Sequence, residues 1–153
     1  MHRLLPPAAA LLSAAALSGC GSHASATGAE FAQQANARCT TSRAQLAKLP
    51  RPASLLGMHP YLDRAVPILE SERKAVGGLP GAGGSKASAL LRAWDHVLEA
   101  SRSAAAASRT VDDARIAVSM KATHTAKLAA DAAAQAAGAR ACTGFSPFEY
   151  DKR

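Results

Sequence analysis

Alanine constrains this chain more than any other feature: 39 of its 153 residues are alanine, against six aromatic residues in all. Alanine loses no side-chain freedom in a helix and packs poorly on a pleated surface, so a surplus of it favours helix over strand. It also limits the core. Apolar residues make up 48% of the chain, but about half of that share is alanine, so few large side chains remain to be buried. The apolar share is still too high, and a net charge of +7 too moderate, for a chain that stays solvated. The expectation is one small helical domain with a thin core.

Four helical segments are legible. The first opens at Thr27, with Glu30 three residues on in a capping-box pattern. It carries Phe31, Ala35, Cys39, Ser42, Leu46 and Leu49 at helical spacing and stops at Pro50-Arg51-Pro52. The second follows Gly57-Met58-His59-Pro60 and shows one face of Tyr61, Leu62, Ala65, Val66, Leu69 and Val76. Pro67 falls inside it and predicts a kink or a late start. Gly77 to Gly84 reads as a flexible loop. The third helix starts near Ser85 and carries Leu90, Leu91, Trp94, Val97, Leu98 and Ser101. The fourth opens at Thr110 with Asp113 as capping partner, and runs by Ala114, Ala117, Met120, His124, Leu128 and Asp131 to Ala137. Gly138 is placed as the residue that ends it in a left-handed turn. No strand-like alternation is sustained. The fold class expected is all-α, a four-helix up-down bundle over residues 27–153.

Residues 1–19 read as an export signal rather than as fold. Arg3 supplies the positive start, and the apolar stretch from Leu4 to Leu17 is too short, and too interrupted by Pro6 and Pro7, to stay as a membrane-spanning helix. It ends in Leu17-Ser18-Gly19-Cys20, which resembles the lipobox of bacterial lipoprotein signal peptides. That resemblance implies a diacylglycerol on Cys20, removal of everything before it, and attachment to the outer face of a cell membrane, with about 0.8 kcal/mol of anchoring per buried CH₂. The competing reading is an ordinary secretory signal with a cysteine near its cleavage site. Residues 20–26 then form a short tether of small and polar residues. A modestly basic domain held there is attracted to anionic headgroups. Nucleic acid is not an expected partner, because the basic residues are scattered without interleaved aromatics.

With Cys20 assigned to lipid, Cys39 and Cys142 remain, and an exported pair reads as one disulfide stapling the bundle. Two free thiols, or a bond between chains, are the competing readings. The bridge closes a loop of roughly 100 residues, for which the chain-entropy model gives on the order of 4–5 kcal/mol. It also sets a geometric demand. Cys39 lies well along the first helix while Cys142 follows the end of the fourth, so either the segment after Gly138 folds back along the first helix or that helix begins well before Phe31. Beyond Cys142, Phe145-Ser146-Pro147-Phe148-Glu149-Tyr150 holds three of the six aromatics. This tail is expected to pack over a bundle end; the alternative is an exposed partner-binding strip. The opening Phe31-Ala32-Gln33-Gln34-Ala35-Asn36-Ala37-Arg38-Cys39 and the closing Gly138-Ala139-Arg140-Ala141-Cys142 resemble the ends of small secreted or lipid-anchored helical proteins of actinobacteria. That resemblance implies the Cys39–Cys142 pairing across a helical bundle, and no activity.

Chemistry-bearing patterns are sparse. His96 and Glu99 sit one turn apart on the third helix, and His124 falls on the expected apolar stripe of the fourth, where a hydrogen-bonded core histidine is the simpler account than a metal ligand. His23 and His59 are expected to be solvated. Ser71-Glu72-Arg73-Lys74 superficially matches a Ser-x-x-Lys nucleophile motif, but no partner motif accompanies it, so it reads as a solvated face. Residues 77–84 lack the Lys-Ser/Thr ending of a phosphate cradle. Asp112 and Asp113 are adjacent, point about 100° apart on a helix and read as capping residues. No catalytic residue, metal site or cofactor is expected. Two functions fit: a non-enzymatic, lipid-anchored extracytoplasmic module that binds an envelope protein, or a lipoprotein that binds a small ligand or metal in the bundle interior or in a groove near Trp94 and His124.

Overall fold

The computed structural model describes residues 27–54, 57–110 and 112–148. The stretch expected to be an export signal, Cys20, the expected tether and the Glu149-Tyr150 end of the tail lie outside the described residues. The chain forms four helices, α1 (Gly28–Leu46), α2 (Met58–Gly77), α3 (Ser85–Arg109) and α4 (Asp113–Ala136), followed by a 3₁₀ turn at Arg140–Cys142. It is an all-α bundle, with no strand among the described residues.

Local chemistry sets most of the boundaries. At the start of α1, Glu30 N–H donates to Thr27 Oγ1 (3.3 Å) and Thr27 N–H donates to Glu30 Oε2 (2.7 Å), a complete capping box. α1 ends at Leu46, and turns carry the chain through Lys48 and Leu49. Pro67 does not delay α2, which is helical from Met58. At the far end of α4, Ala139 N–H bonds Ala134 C=O and Gly138 N–H bonds Gln135 C=O, a Schellman cap that needs the φ of +75° found at Gly138.

Three expectations change on contact with the structure. Thr110 does not cap α4. It closes α3, its hydroxyl donating to Ala107 C=O, and Asp112 is the cap, accepting from Arg115 N–H at 3.0 Å. Residues 78–84 are a run of hydrogen-bonded turns with Leu79 and Ala82 packed on the core, not a flexible loop. Finally, α4 buries Ile116, Ser119, Thr123, Ala130 and Ala134 and leaves His124 and Leu128 exposed, so it is rotated away from the expected stripe.

The helices pair in sequence order. α2 and α3 are tied by Asp63–Arg109, Glu70–Arg102 and Arg73–Asp95 ion pairs of 2.7–3.0 Å, in which one partner advances as the other retreats, the register of an antiparallel pair. The Arg73 guanidinium holds the Asp95 carboxyl below the usual carboxylate range. α3 and α4 share the most extensive contact, and small side chains let them approach closely: Ala104, Ala107, Ala130 and Ala134 are buried, and Ser103 and Ser119 meet hydroxyl to hydroxyl at 3.1 Å.

The seam between the first and last helices is made by the tail. Arg140–Cys142 packs on both α1 and α4, and Cys142 is bonded to Cys39 with Cα atoms 5.0 Å apart. The segment after Gly138 therefore folds back along α1, the first of the two ways the disulfide demanded.

Candidate functional site

Every helix contributes a side chain that holds residues 138–148 in place. From α1, Asn36 reaches two points: its Nδ2 donates to Gly138 C=O (3.2 Å) and its Oδ1 accepts from Ala141 N–H (2.7 Å). Arg43, two turns further on, donates to Thr143 C=O. From α4, Asp131 accepts from Gly144 N–H (2.6 Å) through one oxygen and from Lys127 Nζ (2.7 Å) through the other. From α2, Tyr61 Oη donates to Pro147 C=O at 2.6 Å. From α3, Trp94 stacks on Phe145, ring centroids 4.0 Å apart and planes within 5°. Phe145, Ser146 and Pro147 are buried and Phe148 packs against the cluster of Met58, Leu62 and Ala104. So the described part of the tail is packed into the bundle and is not a free strip.

Between this tail, the end of α1 and the middle of α2 lies a cavity of about 350 Å³. Its inner wall is Leu69, Phe145 and the Cys39–Cys142 bridge, all buried; its rim holds the exposed Arg43, Ala47 and Arg51. Into it faces Glu72, only 6% exposed. Removal from water pushes the Glu72 carboxyl up to about 8, although hydrogen bonding with Ser42 and the positive charge of Arg43 pull the other way. At neutral pH this carboxyl is therefore mostly protonated, and a protonated carboxyl is a hydrogen-bond donor. The site combines a neutral acid, two guanidinium groups and apolar walls.

Glu72 is the residue that sequence reasoning missed. The Ser71–Lys74 run was expected to be a solvated face, but only Ser71 and Lys74 are exposed, Arg73 is half-buried against Asp95 and Glu72 is buried. The signal was present in the spacing: Glu72 stands three residues after Leu69 and four before Val76, on the buried stripe of α2.

The other singled-out residues do not assemble. His96 and Glu99 share an open groove on the outer α3–α4 seam with Lys121 and Thr125, and His124 is exposed on α4 outside that groove. His124 is thus not a core histidine, and no group of three His, Cys, Asp or Glu is placed to hold a metal ion among the described residues. His59 is half-buried, its Nδ1 3.3 Å from Asp63 Oδ2, rather than solvated. Trp94 is fully buried, so it lines no groove with His124. None of the described helices is long and apolar enough to cross a membrane. No family model, curated protein or solved structure matches the chain.

Proposed function

We propose that this chain is a lipid-anchored extracytoplasmic protein that works by binding rather than by catalysis, and that the Glu72 cavity is where it takes a small ligand. The observation that carries this reading is the carboxyl on the cavity wall. A bundle that needed only stability would fill position 72 as it fills 69 and 76, with Leu or Val, because burying an acid without a full set of partners is unfavourable. Retaining Glu72 opposite Ser42 and Arg43, in a space at the lower end of the ~300–1,000 Å³ usual for small-molecule sites, is the arrangement of a pocket. The membrane part rests on Leu17-Ser18-Gly19-Cys20 after an apolar run and on the small, polar residues 21–26 that follow.

A second reading is favoured by a different observation. Val118 and Leu128 are 69% and 56% exposed on α4, and Val118 lines the alanine-rich groove on the α3–α4 seam. An envelope protein covering that face would explain both.

Native mass spectrometry of the protein gently extracted from its own membranes separates these. A small bound mass that disappears in an Ala47→Trp variant, which fills the rim of the cavity, is the expected result. A co-purifying protein, lost when Leu128 becomes Asp, would favour the second reading. Membrane fractionation of a Cys20→Ala variant checks the anchor: the variant is expected in the soluble fraction, and full retention with membranes would remove lipid attachment at Cys20 from the reading.

A further inference from the structure

We propose that the ligand of the Glu72 cavity is an anionic amphiphile, one carboxylate head on an apolar chain of about ten carbons. The head would lie at Arg43, Arg51 and Glu72, and the chain against Leu46, Leu69 and Phe145. The inference deepens the small-ligand reading and rests on it.

Three observations set the class. The first is size: about 350 Å³ holds about twelve non-hydrogen atoms at roughly 30 Å³ for each water-sized group. The second is charge. The lining includes two guanidinium groups and one acid, and that acid is mostly uncharged at neutral pH. A cation entering the site meets net repulsion and an anion net attraction. The third is the distribution of polarity. The charged groups Arg43 and Arg51 are on the exposed rim, whereas Leu69, Phe145 and the disulfide form a buried apolar wall. A ligand polar throughout would leave that wall unused, and a pure hydrocarbon would leave Arg51 unused.

Glu72 also makes the binding pH-dependent. The groups acting on it are Ser42, which hydrogen-bonds it, and the charge of Arg43, both from α1; Arg51 after α1, Tyr61 of its own helix and the hydroxyls of Thr143 and Ser146 in the tail line the same cavity. Below about 8 the Glu72 carboxyl donates to the ligand carboxylate; above it two carboxylates oppose each other. Affinity is expected to fall about tenfold per pH unit on the alkaline side, and to lose that dependence in Glu72→Gln.

The test is a titration of the full chain with decanoate below its micelle concentration, reading the fluorescence of Trp94. This is the only tryptophan, and it stacks on the cavity-wall residue Phe145. Expected are saturable binding, a loss of about fourfold in affinity for each methylene removed, and about tenfold weaker binding in Arg51→Gln. The Arg51 side chain makes no hydrogen bond within the described fold, so Arg51→Gln is expected to melt like the parent. Decylammonium binding as tight as decanoate, or decanoate binding unmoved by Arg51→Gln, overturns the anionic class. If decanoate does not bind but the membrane-extracted protein carries another small mass that Ala47→Trp removes, the ligand class is wrong and the cavity reading stands. If neither binds, both fail.

Discussion

Glu72 is a residue whose burial has a measurable sign. In the unfolded chain its carboxyl ionises near the ordinary value of 4.5, and in the fold near 8. Between those values the folded state holds a proton that the unfolded state has released. The native state is thus penalised progressively as pH rises through the window, by on the order of 5 kcal/mol in full. Denaturant unfolding at pH 5 and pH 8.5 is expected to show lower stability at the higher pH. Glu72→Gln, which cannot ionise, should flatten that difference; a parent protein equally stable at both values would mean Glu72 is solvated. Asn36 acts on the tail rather than on the cavity. Its two bonds reach Gly138 and Ala141, residues more than 100 positions away, and it stands one turn before Cys39 on the same face of α1. Asn36→Ala leaves a tail amide without its partner and is expected to cost about 1–3 kcal/mol by chemical denaturation. Gly138→Ala carries two penalties, a Cβ at positive φ and a 3.2 Å approach to Ala32 Cβ, and should lose about 1–2 kcal/mol in the same measurement.

At the scale of the element, α4 shows why an alanine-rich helix hides its orientation. With apolar residues on every side, its few larger side chains dominated the expected stripe and put Leu128 and His124 inside. The structure instead turns Ser119 and Thr123 inward. Thr123 satisfies its hydroxyl on Ser119 C=O at 2.9 Å, and Ser101 of α3 does the same on Val97 C=O at 2.7 Å. Small residues win because α3 and α4 pack closely, and a Leu between them would hold the helices apart. The expected outcome is therefore inverted from the hydropathy reading. Leu128→Ala should change the melting free energy by no more than about 0.5 kcal/mol, as for an exposed site. Ser119→Leu should destabilise by about 1–3 kcal/mol. α3, by contrast, was legible throughout: Leu90, Leu91, Trp94, Val97, Leu98 and Ser101 are large or distinctive enough to mark one face, and all six are buried. α2 lies between these cases, its stripe readable except where Glu72 interrupts it with charge.

For the whole molecule, the residues after Gly138 tie the elements together. They are bonded covalently to α1, hydrogen-bonded to α1, α2 and α4, and stacked on α3. Reducing the Cys39–Cys142 bridge frees a loop of roughly 100 residues in the unfolded state, and the chain-entropy model puts the loss at about 4–5 kcal/mol. Because the core is thin, that is a large share of the stability expected for a small domain. Denaturant midpoints with and without reductant should therefore differ widely, with Trp94 fluorescence and helical circular dichroism falling together if the tail and bundle unfold as one. What the sequence determined by itself was local in origin: helical class, the Thr27 and Gly138 caps and the stripe of α3 each follow from residues within a turn or two of one another. The cysteine pairing was open to inference too, because so few partners exist. Only the tertiary structure decided which face of α4 turns inward, that Asn36 and Asp131 grip the tail from opposite helices, and that Glu72 closes a cavity. Each depends on what stands across the seam, and no local pattern records how closely two helices approach or what backbone lies opposite a polar side chain.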